Sequence, residues 1–198
     1  MTSHSNVTSS NDFLDDLRVT KQSERSPWEQ VWTETTTEDR SAKKLITFMR
    51  MCKDLSTLSH DQKVKVATII VTDNFGEICS IGYNGDYSGG PNLRVDMAHG
   101  QSNFLHSEEN ALFRLGKPYE LRDRLILMCT HKPCTMCAKR IVNSGIKRVI
   151  YDAEYCDSIA QTDEIFSVSR VNCQSMVALL SSKETLETYL DYAVRKDT

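Results

Sequence analysis

The sequence lacks an excess of basic residues, an apolar leader segment and any long hydrophobic run. Its 198 residues include 24 Lys and Arg against 27 Asp and Glu, for a net charge of −3, so no overall basic field would hold a polynucleotide. The first 30 residues contain no apolar stretch of the kind found in secretory signals. No run approaches the length that spans a bilayer. We therefore expect a cytoplasmic protein with no membrane partner, which binds a small molecule in preference to a polynucleotide.

The cysteine content excludes a small scaffold stapled by disulfides. The seven cysteines are an odd number, and two of them form the Cys-x-x-Cys pair Cys134 and Cys137. The other five are scattered among apolar neighbours, as buried free thiols of a reducing compartment would be: Cys52, Cys79, Cys129, Cys156 and Cys173.

Composition divides the chain into a short tail and one domain. Residues 1–27 are rich in Ser, Thr, Asn and Asp and cannot bury enough apolar surface to offset the entropy lost on ordering. We predict that residues 1–27 form a flexible polar N-terminal tail and that residues 28–198 form the folded domain. Hydrophobic residues make up 39% of the chain, which suffices for one sizeable core.

Helical and strand patterns alternate along the domain. Apolar residues at helical spacing predict a helix at Glu38–Leu55, and the β-branched run Val64–Val71 predicts a buried strand. Asp73–Gly76 predicts a turn into a second hairpin strand, Glu77–Tyr83. The remaining predicted elements are helices at His106–Leu115, Cys134–Ser144, Ser158–Ser167 and Lys183–Val194, and strands at Leu125–Thr130, Lys147–Tyr151 and Val171–Val177. This alternation predicts an α/β fold, a three-layer α/β/α sandwich around a mixed central sheet of about five strands.

A long connection separates the hairpin from the next helix. Residues Gly82–Leu105 carry five glycines and one proline and show no periodicity. Loops longer than about 12–15 residues in a compact domain are usually functional or disordered. Because this one runs directly into His106, we expect it to form a wall of an active site.

Four residues between positions 106 and 137 suggest a metal centre. His106 is followed two residues later by Glu108, and Cys134 and Cys137 follow Pro133 three residues apart in a helical pattern. Zinc takes nitrogen and sulfur ligands tetrahedrally, and a catalytic zinc keeps one of its four positions open for water. We predict that His106, Cys134 and Cys137 bind Zn²⁺ and that Glu108 is a general acid-base group beside it.

Other interpretations exist for each half of this pattern. A lone histidine is usually a core or surface residue, and a lone Cys-x-x-Cys pair can be redox-active or half of a zinc knuckle. A structural knuckle needs four ligands and has no use for Glu108. A thioredoxin-like site has no use for His106. The two halves together favour a catalytic zinc over either.

Several stretches resemble the zinc-dependent cytidine and deoxycytidylate deaminase superfamily, with the nearest likeness to deoxycytidylate (dCMP) deaminases. They lie between about residues 60 and 155: Lys65–Val71, Gly82-Tyr83-Asn84-Gly85, His106–Ala111, Pro133–Ala138 and Ser144–Tyr151. The pattern H-x-E followed by P-C-x-x-C is the signature of zinc nucleobase deaminases. The resemblance implies a cytidine deaminase-like fold and a Zn²⁺-dependent hydrolase that converts dCMP to dUMP and releases ammonia.

The resemblance also implies three substrate contacts. The Asn of Gly-Tyr-Asn-Gly meets the sugar hydroxyl in the family, a role that falls on Asn84. A basic residue before the first strand lies near the 5′ phosphate, and Lys65 is the nearest match, with Lys63 as the alternative. Ser107 stands where alanine is usual between the His and the Glu, and its backbone is expected to line the base.

Two alternative functions remain at this point. One is deamination of cytosine or adenine within RNA or single-stranded DNA, because Met136 between the cysteines is also common in tRNA adenosine deaminases. The other is a non-catalytic structural zinc protein, which would leave Glu108 without a role. For the nucleotide deaminase we expect a small-molecule nucleotide substrate and a homo-oligomeric assembly.

Overall fold

A computed structural model describes residues 40–97, 102–154 and 159–181. The predicted tail, residues 1–27, and the predicted helix Lys183–Val194 lie outside the described residues. In chain order the elements are α1 (Arg40–Ser56), β1 (Ala67–Thr72), β2 (Ile78–Tyr83), α2 (Ser107–Phe113), a 3-10 helix (Tyr119–Arg124), β3 (Leu125–His131), α3 (Thr135–Ser144), β4 (Arg148–Ala153), α4 (Ile159–Val168), β5 (Asn172–Ser175) and α5 (Met176–Leu180). Among the helices of these ranges, none combines the length and the hydropathy needed to cross a bilayer.

The five strands form one mixed sheet in the order β2-β1-β3-β4-β5. Strand β1 is antiparallel to both β2 and β3, whereas β3, β4 and β5 run parallel. The hairpin of β1 and β2 needs only a short turn, while each parallel step requires a crossover helix. The helices α3 and α4 supply those two crossovers. The predicted mixed sheet is confirmed.

Helices cover both faces of the sheet. On one face Leu45 and Met49 of α1 pack with Met176 of α5 against alternate residues of the strands, such as Ile69. On the other face Ala111 of α2, Ala138 and Ile141 of α3 and Phe166 of α4 pack against the intervening residues, including Ile70, Leu127 and Val149. The alternation of neighbouring residues between the two cores follows from the two-residue repeat of a strand. The three-layer α/β/α prediction is therefore confirmed.

Strand β1 begins at Ala67, three residues later than the sequence pattern predicts. Two side chains occupy the backbone before it: Asp61 Oδ1 accepts from the amide of Val64 at 3.2 Å, and Asn84 Oδ1 accepts from the amide of Val66 at 2.8 Å. Side-chain acceptors thus replace strand partners over the β-branched residues that precede Ala67. Hydrophobic pattern alone does not reveal such competition.

The predicted strand Val171–Val177 is divided between two elements. Strand β5 spans Asn172–Ser175, and helix α5 begins at Met176. Ser175 is the N-cap of α5, and its hydroxyl accepts from the amide of Ala178 at 3.1 Å. Serine at an N-cap satisfies one of the unpaired amides of the first turn. This capping interaction ends the strand before Val177.

Candidate metal centre

Two of the predicted ligands occupy helix N-caps. His106 precedes α2 and Cys134 precedes α3, both with extended backbone and without a side-chain capping bond. Cys137 lies in the first turn of α3 and is buried. Their side chains are therefore available to one another instead of to the helix ends. An ion pair between Glu109 and Arg140, 3.2 Å long, joins α2 to α3 near the ligands.

The nitrogen–sulfur separations of the cluster match those of a tetrahedral zinc site. The Nδ1 atom of His106 lies 3.5 Å from Cys134 Sγ and 3.4 Å from Cys137 Sγ, and all three atoms lie within 4.8 Å of one another. Zinc bonds of about 2.3 Å to sulfur and 2.0–2.1 Å to nitrogen at the tetrahedral angle place those atoms about 3.5 Å apart. Nδ1, which the sequence does not single out, is the nitrogen of His106 that faces both sulfurs.

The three side chains alter one another's proton affinity. Hydrogen bonds from Cys137 and then His106 lower the pKa of Cys134 to about 3, although burial opposes the shift. The bond to Cys134 raises the pKa of His106 to about 9. The bond to Cys134 and then burial raise the pKa of Cys137 well above its ordinary value. These shifts favour a thiolate at Cys134, an imidazolium at His106 and a neutral thiol at Cys137.

Glu108 lies on the first turn of α2 and is almost completely buried, with 4% of its surface exposed. Its carboxylate is not a member of the ligand cluster. Burial raises the pKa of Glu108, while the charge of His106 and the hydrogen bond from Ser107 act in the opposite direction. A carboxyl group with a raised pKa beside a metal site is suited to taking up and returning protons.

Ser107 is fully buried, and both its hydroxyl and its carbonyl oxygen face protein groups. The hydroxyl donates to Glu108 Oε2 at 3.0 Å and lies 2.8 Å from Thr68 Oγ1. The Ser107 carbonyl oxygen lies against Gly82 of β2. The predicted role of Ser107 concerned only its backbone, and no sequence pattern indicated the contact between its hydroxyl and Glu108.

Most of the hydrogen-bonding capacity of the Asn84 side-chain amide is satisfied within the protein. Its Nδ2 donates to the Val64 carbonyl at 2.8 Å and to Asp61 Oδ2 at 3.1 Å. Its Oδ1 accepts one bond, from the amide of Val66, which leaves one lone pair of that oxygen for a ligand. Asn84 therefore fixes the chain before β1 and retains one acceptor position.

Three cationic side chains, Lys63, Lys65 and Arg94, lie in or contact the segment before β1, and each has different partners. Arg94 pairs with the buried Asp61 and, at 2.7 Å, with Asp96. Lys63 pairs with Asp96. The exposed Lys65 instead donates to the neutral carbonyl of Thr57 at 3.3 Å, and no carboxylate of the described residues pairs with it. The pairing of Asp61 with Arg94 joins residues 33 positions apart, and no sequence pattern indicated it.

A buried lysine anchors the chain just before the two cysteines. The ammonium of Lys132 is 2.9 Å from Asp163 of α4 and 3.6 Å from Glu154, and it lies 5.4 Å from the ring centroid of Tyr151. The Lys132 amide donates to the Ala153 carbonyl at 2.8 Å. These contacts tie the turn that carries Cys134 to β4 and α4. No sequence pattern indicated this lysine anchor.

Similarity to known proteins agrees with this geometry. The profile of the "Cytidine and deoxycytidylate deaminase zinc-binding region" matches residues 42–153, a range that contains all three ligands and Glu108. Together with the His-Cys-Cys cluster, this match makes Zn²⁺ the cofactor of the site.

Two curated proteins illustrate the range of relatives. "ComE operon protein 2" of Bacillus subtilis is 29% identical over 150 residues, covering 70% of this chain and 77% of the relative. A deoxycytidylate deaminase of Schizosaccharomyces pombe is 31% identical over 120 residues, covering 54% of this chain. The match spans 36% of that yeast protein, well under half of its length.

A solved structure shares both fold and sequence. The dCMP deaminase of the cyanophage S-TIM5, crystallised with dCMP and dUMP, superposes with a TM-score of 0.58 at 31% identity, covering 67% of this chain and 96% of the phage chain. The matching zinc-binding region, the ligand geometry and the shared sheet lead to one conclusion. This chain belongs to the cytidine and deoxycytidylate deaminase family.

Proposed function

We propose that the protein deaminates a cytosine nucleotide, converting dCMP to dUMP with release of ammonia. The observation that carries this proposal is a buried carboxylate, Glu108, beside a His-Cys-Cys cluster of zinc dimensions. The choice of dCMP is supported by the likeness to the phage dCMP deaminase, which covers nearly all of that chain. In this proposal residues 28–198 form the catalytic domain.

Glu108 would carry the protons of the reaction. Zinc, when bound by His106, Cys134 and Cys137, supplies a Lewis acid that lowers the pKa of water from 15.7 to about 7. Glu108 would accept a proton from the attacking water and deliver it to the ring nitrogen. It would then assist departure of the amino group as ammonia. Its raised pKa suits a group that must hold a proton between two transfers.

Three further residues would place the substrate. The remaining lone pair of Asn84 Oδ1 would accept a hydrogen bond from the sugar hydroxyl. Lys65, whose ammonium donates to the neutral Thr57 carbonyl, would move to meet the 5′ phosphate. The backbone of Ser107 would line the base beside Glu108. Lys63 is a weaker candidate for the phosphate because Asp96 already compensates its charge.

A substrate panel tests the proposal. Purified zinc-loaded protein is incubated with deoxycytidine, dCMP, dCTP, CMP, single-stranded DNA and tRNA, and ammonia release is followed. We expect dCMP to give the highest kcat/KM. Faster deamination of single-stranded DNA or tRNA would replace the nucleotide with a polynucleotide substrate. Stoichiometric zinc without ammonia release from any compound would favour a structural zinc protein.

The assembly state is a separate part of the proposal. We expect a homo-oligomer, which light scattering coupled to size-exclusion chromatography measures directly. Since every ligand of the cluster comes from one chain, zinc content is expected to stay at one per chain in any assembly.

A further inference from the structure

A buried chain of hydroxyl groups connects Glu108 to the central sheet. Thr68 lies on β1, Ser107 opens α2, and both side chains are fully buried. Thr68 Oγ1 is 2.8 Å from Ser107 Oγ, which is 3.0 Å from Glu108 Oε2. The Cys129 sulfur of β3 contacts both hydroxyls and lies 3.3 Å from Thr68 Oγ1 and 3.7 Å from Ser107 Oγ.

The number of available protons determines which hydroxyl donates to which in this series. A serine hydroxyl has one proton to donate and two lone pairs. Ser107 donates its proton to the Glu108 carboxylate, so a proton between Thr68 and Ser107 can come only from Thr68. The Thr68 hydroxyl also donates toward Cys129 Sγ and shares its one proton between the two acceptors. Thr68 therefore orients the Ser107 hydroxyl, and the oriented hydroxyl donates to one oxygen of Glu108.

The arrangement is unusual for neighbouring residues on a helix. Side chains at positions i and i+1 do not normally face each other, yet the Ser107 hydroxyl reaches the carboxylate of Glu108. A buried carboxylate has lost most of its hydration, and a donor from the protein replaces part of it. A single rotatable side chain that must both accept and return protons gains from being held in one orientation.

We propose that Ser107 and Thr68 are positioning residues that hold the Glu108 carboxylate for proton transfer. The Ser107 hydroxyl fixes Oε2, and Thr68 fixes the Ser107 hydroxyl from β1. The inference rests on the proposed function in that Glu108 carries the reaction's protons. It goes beyond the role of Ser107 in lining the base, because here the hydroxyl acts and not the backbone.

Paired substitutions test this inference. In Ser107→Ala, kcat for the best substrate of the panel is expected to fall roughly tenfold, with KM and zinc content unchanged, which is the lower end of the value of a hydrogen bond to a charged group. Thr68→Val, which keeps the shape but removes the hydroxyl, is expected to give a smaller loss of kcat. In the Ser107→Ala background, Thr68→Val should cause no further loss of kcat, because Thr68 acts on Glu108 only through the Ser107 hydroxyl.

Ser80→Ala is the matched control. The Ser80 hydroxyl is also buried and donates to the same helix, to the carbonyl of Ala111 at 2.6 Å, but it does not contact Glu108. Ser80→Ala is expected to lower Tm and leave kcat unchanged. If Ser107→Ala behaves like Ser80→Ala, or if Thr68→Val lowers kcat equally in both backgrounds, the positioning role is wrong.

A spectroscopic readout separates this inference from the proposed function. The carboxylate stretching band that disappears in Glu108→Gln is located by infrared difference spectroscopy of the zinc-loaded protein. Ser107→Ala is expected to shift that band, and Ser80→Ala is not. A wild-type protein that fails to deaminate any compound while the band still shifts would refute the proposed function but preserve the contact. An unshifted band in an active enzyme would refute the contact alone.

Discussion

Gly82 and Ser107 approach each other backbone to backbone. A Cβ on Gly82 would lie 2.3 Å from the Ser107 carbonyl oxygen and 2.5 Å from the amide nitrogen of Ala111. Both neighbours are backbone atoms of the α2 segment, so they cannot move aside as a flexible side chain could. Gly82 therefore sets the distance between β2 and the helix that carries Glu108 and follows His106.

Gly82→Ala is expected to destabilise the fold by about 1–3 kcal/mol, the usual cost of overpacking a rigid site. It is also expected to lower activity, since α2 must shift. Gly116→Ala is the matched control, because a Cβ there meets nothing within 4 Å; its effect should stay within about 0.5 kcal/mol. Denaturant unfolding followed by circular dichroism measures both. Equal stability of the two variants would contradict the assigned packing.

Local sequence patterns predicted much of the fold. Most differences between the predicted and the observed elements and contacts arose from polar contacts between residues far apart in the chain. The hairpin turn and the helix end at Gly145, whose φ is 88°, follow from short-range chemistry. The metal ligands could be recognised because residue type and spacing alone define them. The start of β1 and the contacts of Ser107 could not, since Asn84 and Thr68 act from distant positions in the chain. Polar side-chain pairs of this kind leave no periodic signal in a sequence.

Cys134→Ala is expected to abolish stoichiometric zinc binding, because two ligands cannot replace a tetrahedral set that needs three protein donors. Metal analysis after dialysis measures the loss. Cys79→Ala, which removes a half-buried thiol on β2, should retain one zinc per chain. A fully loaded and active Cys134→Ala protein would contradict the ligand assignment.

Glu108→Gln is expected to keep zinc and fold but lose activity by at least 10²–10⁴-fold, the usual contribution of a general acid-base group. The amide preserves the size of the side chain and still offers an oxygen to the Ser107 hydroxyl, but it cannot accept and return a proton. Zinc content, Tm and turnover are measured on the same preparation. Near-normal turnover would exclude Glu108 from the mechanism.

Zinc binding is expected to release about two protons from about pH 5 to about pH 8. His106, with a pKa of about 9, and Cys137, with a pKa raised well above its ordinary value, must each lose a proton to bind, whereas Cys134, with a pKa of about 3, is already a thiolate. Affinity should therefore fall about a hundredfold for each pH unit of acidification.

Calorimetric titration of metal-depleted protein, in buffers of different ionisation enthalpy, measures that release; circular dichroism checks that the protein is still folded. Three independent ligands with ordinary pKa values would behave differently. They would release about one and a half protons near pH 8, where each thiol is only about three-quarters protonated, but about three near pH 5, where His is protonated and both thiols are neutral. A count that rises toward three on acidification would contradict the mutual pairing of His106, Cys134 and Cys137.

Lys65→Ala is expected to narrow the preference for dCMP over deoxycytidine by about tenfold to a hundredfold, mainly by slowing dCMP. A charge-assisted contact with one phosphate is worth about 1.5–3 kcal/mol, and it raises kcat/KM when it persists in the transition state.

Lys44→Ala is the matched control: this exposed lysine also donates to a backbone carbonyl, that of Asn74 at 3.0 Å, but at the turn between β1 and β2. Kinetics of both variants with both substrates measure the effect. If the dCMP preference is unchanged in Lys65→Ala while Lys63→Ala reduces it, the phosphate contact belongs to Lys63, and the Asp96 pair must open when substrate binds.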